Sequence, residues 1–180
     1  MLIIQAGLMQ VRDGTGKQMR TPESIHCECR DMATCAQEMF VVITLDTRNG
    51  MIARHLVTLG LLSYVPVSPR EIFRPAIADS AAAIVLVHNH PSGDATPSSE
   101  DLRITRQMID AGRVLGVPVM DHVVIGRGDI PFLSLREKGL ANFDWKTDER
   151  VVSMREAVAS RANGAKEGGS RVVSIPATPK

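Results

Sequence analysis

The sequence predicts an α/β sandwich built on a mixed sheet, and three observations carry that reading. Two runs rich in β-branched residues, 39–45 and 51–59, flank the turn Asp46-Thr47-Arg48-Asn49-Gly50, the pattern of a hairpin. A short, wholly apolar run at 83–87 is the mark of a strand buried on both faces. Segments opened by Ser68-Pro69 and by Ser98 read as capped helices that alternate with the strands, and helix–strand alternation of this kind builds layered α/β folds.

Each element follows from local chemistry. Residues 1–20 begin apolar and turn polar around Asp13-Gly14-Thr15-Gly16, as an edge hairpin or an arm would. Thr21-Pro22-Glu23 opens a helix with Thr as cap and Pro at its first position, expected to run to about Gln37. MFVVITL at 39–45 is the first central strand and 51–59 its return. Ser68-Pro69-Arg70-Glu71 starts the next helix, whose Ile72, Phe73, Ala76 and Ile77 form one apolar face. After the buried strand at 83–87, residues 88–97 make a polar loop with Gly93 and two prolines. A helix runs from Ser98 to about Leu115, stopped by Gly116 and followed by Pro118. Residues 119–126 form another strand, and 130–139 a short terminal strand or turn. Three stretches result: an arm at 1–20, a domain at 21–145, and a tail at 146–180. The tail holds seven basic residues against four acidic ones. A short helix at 150–162 followed by disorder from Ala162 is the expectation there.

Length and composition bound the function. A chain of 180 residues suits one domain plus a tail. Its 44% hydrophobic and 23% charged residues are ordinary for a globular protein. Aromatics are only 3%, so aliphatic side chains and the nine methionines must fill the core. The net charge of +1 singles out no polyanionic partner. Cys27, Cys29 and Cys35 are odd in number and crowded, unlike a secreted disulfide framework, so free thiols in a reducing cytoplasm are expected. Cys27 and Cys29 lack the second pair that a structural zinc site needs. The N-terminal residues lack a basic region and a small-residue cleavage site, and the longest apolar runs are too short to span a membrane.

The chemistry concentrates in HNHPSGDATPSSEDLRITRQM, residues 88–108. His88 and His90 sit at the end of the buried strand, where alternation points both side chains to one side. Asp101 lies in the first turn of the following helix, and a loop of ten residues can bring its carboxylate back to the two imidazoles. Two nitrogens and one oxygen leave a fourth tetrahedral position for water, the pattern of a catalytic rather than a closed zinc site. A hydrolase also needs a base and an oxyanion donor. Ser98 lies between His90 and Asp101 and can donate a hydrogen bond. Glu38, at the mouth of the first central strand, is the candidate base. Each piece has a plainer reading. Ser98-Ser99-Glu100-Asp101 is also a capping box, His-x-His alone is weak, and Glu38 alone is a solvated strand end. The joint pattern is what favours zinc.

These residues resemble the JAMM (JAB/MPN) metalloprotease motif, an upstream Glu followed by His-x-His-Pro-x6-Ser-x2-Asp, here Glu38, His88, His90, Pro91, Ser98 and Asp101. The wider text, from His88 to Gly126 with Pro-Arg-Glu at 69–71 and Leu-Asp-Thr at 45–47, is similar to the RadC family over about residues 21–142. The resemblance implies a cytidine-deaminase-like, JAMM α-β-α sandwich with a mixed central sheet. It implies Zn2+ held by His88, His90 and Asp101, Glu38 as general base, and Ser98 as the oxyanion donor. It also implies a zinc-dependent hydrolase acting on peptide or isopeptide bonds of a protein substrate. His122 matches the family text too and reads as structural, a partner of a metal ligand being the lesser option. Longer RadC-like proteins carry an N-terminal helical region of helix-hairpin-helix character, which these 180 residues do not match. The DNA-repair label is therefore expected to transfer poorly. Short versions resemble those on mobile elements. The alternative is a DNA-associated accessory factor in repair, recombination or anti-restriction. It would need a basic stripe with exposed aromatics, which the domain lacks in sequence. A non-catalytic interaction module is a third reading, and the intact ligand set counts against it.

Overall fold

The structure is a computed structural model that describes the backbone of residues 2–5 and 8–11, and residues 16–60 and 67–145 in full. The expected helix at 150–162 and the expected disorder after it lie outside the described residues. Among the described residues seven strands form one sheet: β1 (Leu2–Gln5), β2 (Leu8–Val11), β3 (Met39–Leu45), β4 (Met51–Leu59), β5 (Ala83–Asn89), β6 (Val119–Ile125) and β7 (Phe132–Ser134). Their order across the sheet is β1-β2-β4-β3-β5-β6-β7. The β5–β6 pair is parallel and every other pairing is antiparallel. Within the first twenty residues, β1 and β2 thus pair with each other and extend the sheet beyond β4.

The β3–β4 hairpin forms because Asp46 organises its turn. One carboxylate oxygen accepts from the backbone N–H of both Arg48 (2.7 Å) and Gly50 (2.8 Å), and Asn49 takes the left-handed conformation at φ 63° that Asn tolerates. β3 and β5 are buried at every position, as their unbroken apolar runs require.

Helices cover both faces. On one side Phe40, Val42, Ile84, Leu86 and Val124 pack with Ile72, Phe73, Ile104 and Met108 of α2 (Pro69–Ala78) and α3 (Ser99–Leu115). On the other, Val41, Ile43, Val85, Val87 and Val123 pack against Ile25 and Cys29 of α1 (Pro22–Cys29) and against Met32. The result is the α-β-α sandwich with a mixed sheet that the element order implied. Methionines do fill the space that scarce aromatics leave: Met32, Met39, Met51 and Met108 are all buried.

α2 and α3 each begin on a capping box, at Ser68 with Glu71 and at Ser98 with Asp101. α3 ends on Gly116 at φ 75°, a left-handed cap that glycine adopts without strain. The first helix departs from expectation. It stops as an α-helix at Cys29, whose φ of −111° and ψ of 11° have left the helical region, and continues only as a 3-10 turn over Arg30–Thr34. Arg54 of β4 ties down this stretch: its guanidinium donates to the Glu28 carbonyl at 3.2 Å and to both Asp31 carboxylate oxygens at 2.8 and 3.0 Å. Among the described residues no helix is long and apolar enough to cross a membrane.

Candidate metal centre

The parity of β5 sets up the site. Its even positions Ile84, Leu86 and His88 face α2 and α3, while Val85, Val87 and Asn89 face the α1 side. His88 therefore emerges into the gap where α3 begins. Its ring is fully buried and lies parallel to Phe40, at 4° with centroids 6.0 Å apart. His90 follows just past the strand end. Its Nδ1 lies 2.7 Å from the Asp94 carbonyl. A carbonyl only accepts, so Nδ1 carries the proton and the other nitrogen, Nε2, is left bare when the ring is neutral.

The loop that supplies that carbonyl is anchored from β6. The Gly93 carbonyl accepts from the N–H of Arg127 (2.8 Å) and of Gly128 (3.2 Å). Gly93 itself sits at φ 92°. A side chain at Gly126 would place its first carbon 2.5 Å from the Gly93 oxygen, so this close approach of two backbones needs a glycine.

Asp101 reaches the site from the first turn of α3, where its carboxylate also completes the cap. Oδ2 accepts from the Ser98 N–H and hydroxyl, each at 2.7 Å, while the Ser98 oxygen accepts from the Asp101 N–H at 3.2 Å. Asp101 thus belongs to the capping box and to the candidate ligand set at once, so the two readings of this segment are compatible. Ser98 stands one hydrogen bond from Asp101.

The three predicted ligand atoms converge. His88 Nε2 and His90 Nε2 are 3.0 Å apart, Asp101 Oδ1 lies 3.2 Å from His88 Nε2, and Asp101 Oδ2 lies 3.5 Å from His90 Nε2. Metal bonds of about 2.0–2.1 Å in tetrahedral array place ligand atoms roughly 3.3 Å apart, so the donor set could hold a metal ion. Glu38 joins the group: its carboxylate and the ligand atoms of His88, His90 and Asp101 all lie within 4.8 Å of one another. The sequence-predicted residues Glu38, His88, His90, Ser98 and Asp101 are thus gathered at one place.

The electrostatics favour a cation. Burial alone would raise the Asp101 pKa, but hydrogen bonds from His88 and His90 outweigh it and hold the carboxyl well below the usual carboxylate range. Reciprocally, Asp101 raises the pKa of His90 against the effect of burial. His122 goes the other way: burial, followed by the nearby His88, pushes its pKa well down, so it stays a neutral imidazole.

Sequence reasoning missed two residues around the site, Asn89 and Thr105, and read a third, His122, as structural. Asn89 is buried between the two histidines but faces the opposite side. Its Oδ1 accepts from the Met39 N–H at 2.8 Å and its Nδ2 donates to the Gln37 carbonyl at 3.2 Å, so one amide brackets Glu38. His122 is no bystander: its Nε2 lies 2.8 Å from His88 Nδ1. Thr105 of α3 touches His122 in turn, at 2.6 Å. The one usable signal was helical spacing, since Thr105 stands one turn after Asp101 on the same face.

Residues 19–140 match the family of RadC-like JAB domains. The chain is 42% identical over 138 residues to a UPF0758 protein of Caldanaerobacter subterraneus, covering 76% of this chain and 58% of that protein. It is 44% identical over 123 residues to a UPF0758 protein of Desulforamulus reducens, covering 68% and 53%. With a UPF0758 protein of Geobacillus thermodenitrificans the identity is 49% over 109 residues, covering 61% and 47%. The chain thus spans about half the length of the curated relatives it matches. With fold, donor set and sequence in agreement over the same residues, the chain belongs to the RadC-like JAB domain family.

Proposed function

We propose that this protein is a zinc-dependent hydrolase of peptide or isopeptide bonds. One observation carries the reading: two imidazole nitrogens and a carboxylate at zinc-ligand separations, with a further carboxylate, Glu38, at the same hole. His88, His90 and Asp101 would hold the ion. Bound there, zinc would polarise the scissile carbonyl and bring the pKa of a water to about 7.

The chain's own residues supply the rest. Glu38 takes the proton from the attacking water and passes it to the leaving nitrogen, a role worth about 10²–10⁴ in rate. The Asn89 amide holds the peptides on either side of Glu38, which keeps the base from turning away. Ser98 has one hydroxyl proton, donated here to Asp101 Oδ2, and would turn it to the developing oxyanion. Asp94, whose carbonyl orients His90, also lines a cavity of about 490 Å³ with Ser92, Arg127 and Ile130, which gives a substrate side chain room beside the ligands. Free thiols at Cys27, Cys29 and Cys35 support a reducing compartment for the reaction.

The test is metal content together with activity against an isopeptide panel and against structured DNA. Purified protein is expected to hold one zinc per chain, measured by elemental analysis. His88→Ala/His90→Ala should lose both zinc and hydrolysis. Glu38→Gln should keep zinc and fold while hydrolysis falls by about 10²-fold or more. Zinc retained by the double variant would rule the site out. Full hydrolysis in Glu38→Gln would remove the base. Action on DNA without isopeptide cleavage would turn the assignment to an accessory factor.

A further inference from the structure

A hydrogen-bonded chain runs behind the ligand atoms. His88 Nδ1 lies 2.8 Å from His122 Nε2, His122 Nδ1 lies 2.6 Å from Thr105 Oγ1, and Thr105 Oγ1 lies 2.6 Å from the backbone carbonyl oxygen of Asp101. His88, Thr105 and His122 are fully buried. The chain begins on one metal-binding residue and ends on another, joining β5, β6 and α3.

Each contact has room for one proton, so with neutral rings the chain can be filled in two directions. In one, the Thr105 hydroxyl donates to the Asp101 carbonyl, His122 donates from Nδ1 to Thr105, and His88 donates from Nδ1 to His122. His88 Nε2 is then bare and faces the site. In the other, Thr105 donates to His122, His122 donates from Nε2 to His88, and His88 carries its proton on Nε2, where it blocks a metal. The two directions differ in what lies between Thr105 Oγ1 and the Asp101 oxygen. A pair of oxygens 2.6 Å apart is a hydrogen bond with a proton between them and a lone-pair collision without one. Only the first direction puts a proton there; without an ion the second puts one between His88 Nε2 and Asp101 Oδ1, 3.2 Å away, so the first is the direction that a bound cation selects.

We infer that Thr105 and His122 are positioning residues that hold His88 in the Nδ1-protonated tautomer and so keep its Nε2 open to metal. This rests on His88 being a zinc ligand. The Thr105 hydroxyl is the anchor, because its acceptor is a carbonyl that cannot donate back. His122 transmits the choice, being buried, neutral and in contact with both ends. Partners of this kind, which hydrogen-bond the far nitrogen of a ligating histidine, typically govern metal affinity by 10- to 100-fold.

The test uses zinc alone as the probe. Thr105→Val preserves shape and removes the hydroxyl, while Thr105→Ser keeps it. In competition with a chromophoric chelator, Thr105→Val is expected to bind zinc about 10- to 100-fold more weakly than wild type, with Thr105→Ser restoring most of the affinity. Ring nitrogen NMR of the zinc-loaded wild type should show His88 protonated at Nδ1, with that proton hydrogen-bonded to His122. Equal zinc affinity in wild type and Thr105→Val would overturn the inference. So would a zinc-loaded His88 whose Nδ1 proton is not hydrogen-bonded to His122, a readout that stands even if Thr105→Val does not fold. Wild-type protein that takes up no zinc would instead bring down the metal centre itself, and the role of Thr105 with it.

Discussion

Cys27 and Cys29 lie two residues apart on α1 and meet opposite surroundings. Cys27 is exposed, and the Arg30 guanidinium stands 3.0 Å from its sulfur. Cys29 is fully buried against the sheet, and burial pushes its thiol up to about 12. A thiol reacts as its thiolate, so both access and ionisation protect Cys29. In folded protein at neutral pH, maleimide should label Cys27 and spare Cys29 until denaturant is added, as read by mass spectrometry of the digest. Rapid labelling of native Cys29 would mean α1 is not docked as described. The same contrast of near and far decides which site residues a sequence discloses. His88, His90, Ser98 and Asp101 fall within fourteen consecutive positions, so spacing alone brought them to notice. Asn89 and His122 act through partners that are remote in sequence: Asn89 reaches back 50 positions to Met39, and His122 reaches 34 back to His88. No local pattern encodes such contacts.

At the level of elements, those with their own punctuation were legible. The β3–β4 hairpin, α2 and α3 carried capping and turn residues, and their observed bounds agree with the sequence reading to within a few residues. α1 carried its start signal at Thr21-Pro22 but no stop signal of its own. Its end is set by Arg54, which comes from β4, so the sequence reading ran on to Gln37. Helix packing supplies a sharper test. Gly112 sits inside α3, where alanine would ordinarily favour the helix by about 1 kcal/mol. Here a methyl group would lie 2.5 Å from the Val117 carbonyl oxygen and 3.3 Å from the Phe73 ring. The overlap is with backbone that cannot swing aside, so the clash should outweigh propensity. Gly112→Ala is expected to lower stability by about 1–3 kcal/mol, measured by urea denaturation. A stabilised variant would mean that the turn after α3 gives way at little cost.

The whole molecule places the centre where β5 meets an antiparallel neighbour on one side and a parallel one on the other. The carboxyl end of β5 thus adjoins the beginning of β3, which delivers Glu38, and the connection to β6 begins with the N-terminal turn of α3, which delivers Asp101. Crevices at the carboxyl ends of strands, where the connections diverge, are the usual ligand sites of such sheets. The motif could be read from the chain, and Glu38 from its place at the mouth of the strand that follows it; the β3–β5 pairing is what brings it to the histidines.

One feature of that arrangement bears on the order in which the protein is made. The candidate ligands His88, His90 and Asp101 are close in sequence, yet the walls that orient His88 are not: its ring packs beside both Phe40 of β3 and His122 of β6, which also meet each other. The cage therefore acquires its shape only after strands 48 positions apart have paired, with Phe40 opposite His88. Contacts of such long range form late and at high entropic cost. Zinc should then act as a latch rather than a nucleus. Stopped-flow refolding is expected to proceed at the same rate with zinc or with chelator, while unfolding slows when zinc is present, because the ion stabilises interactions absent from the transition state. A refolding rate that climbs with zinc concentration would show that the loop between β5 and α3 grips the ion before the sheet exists.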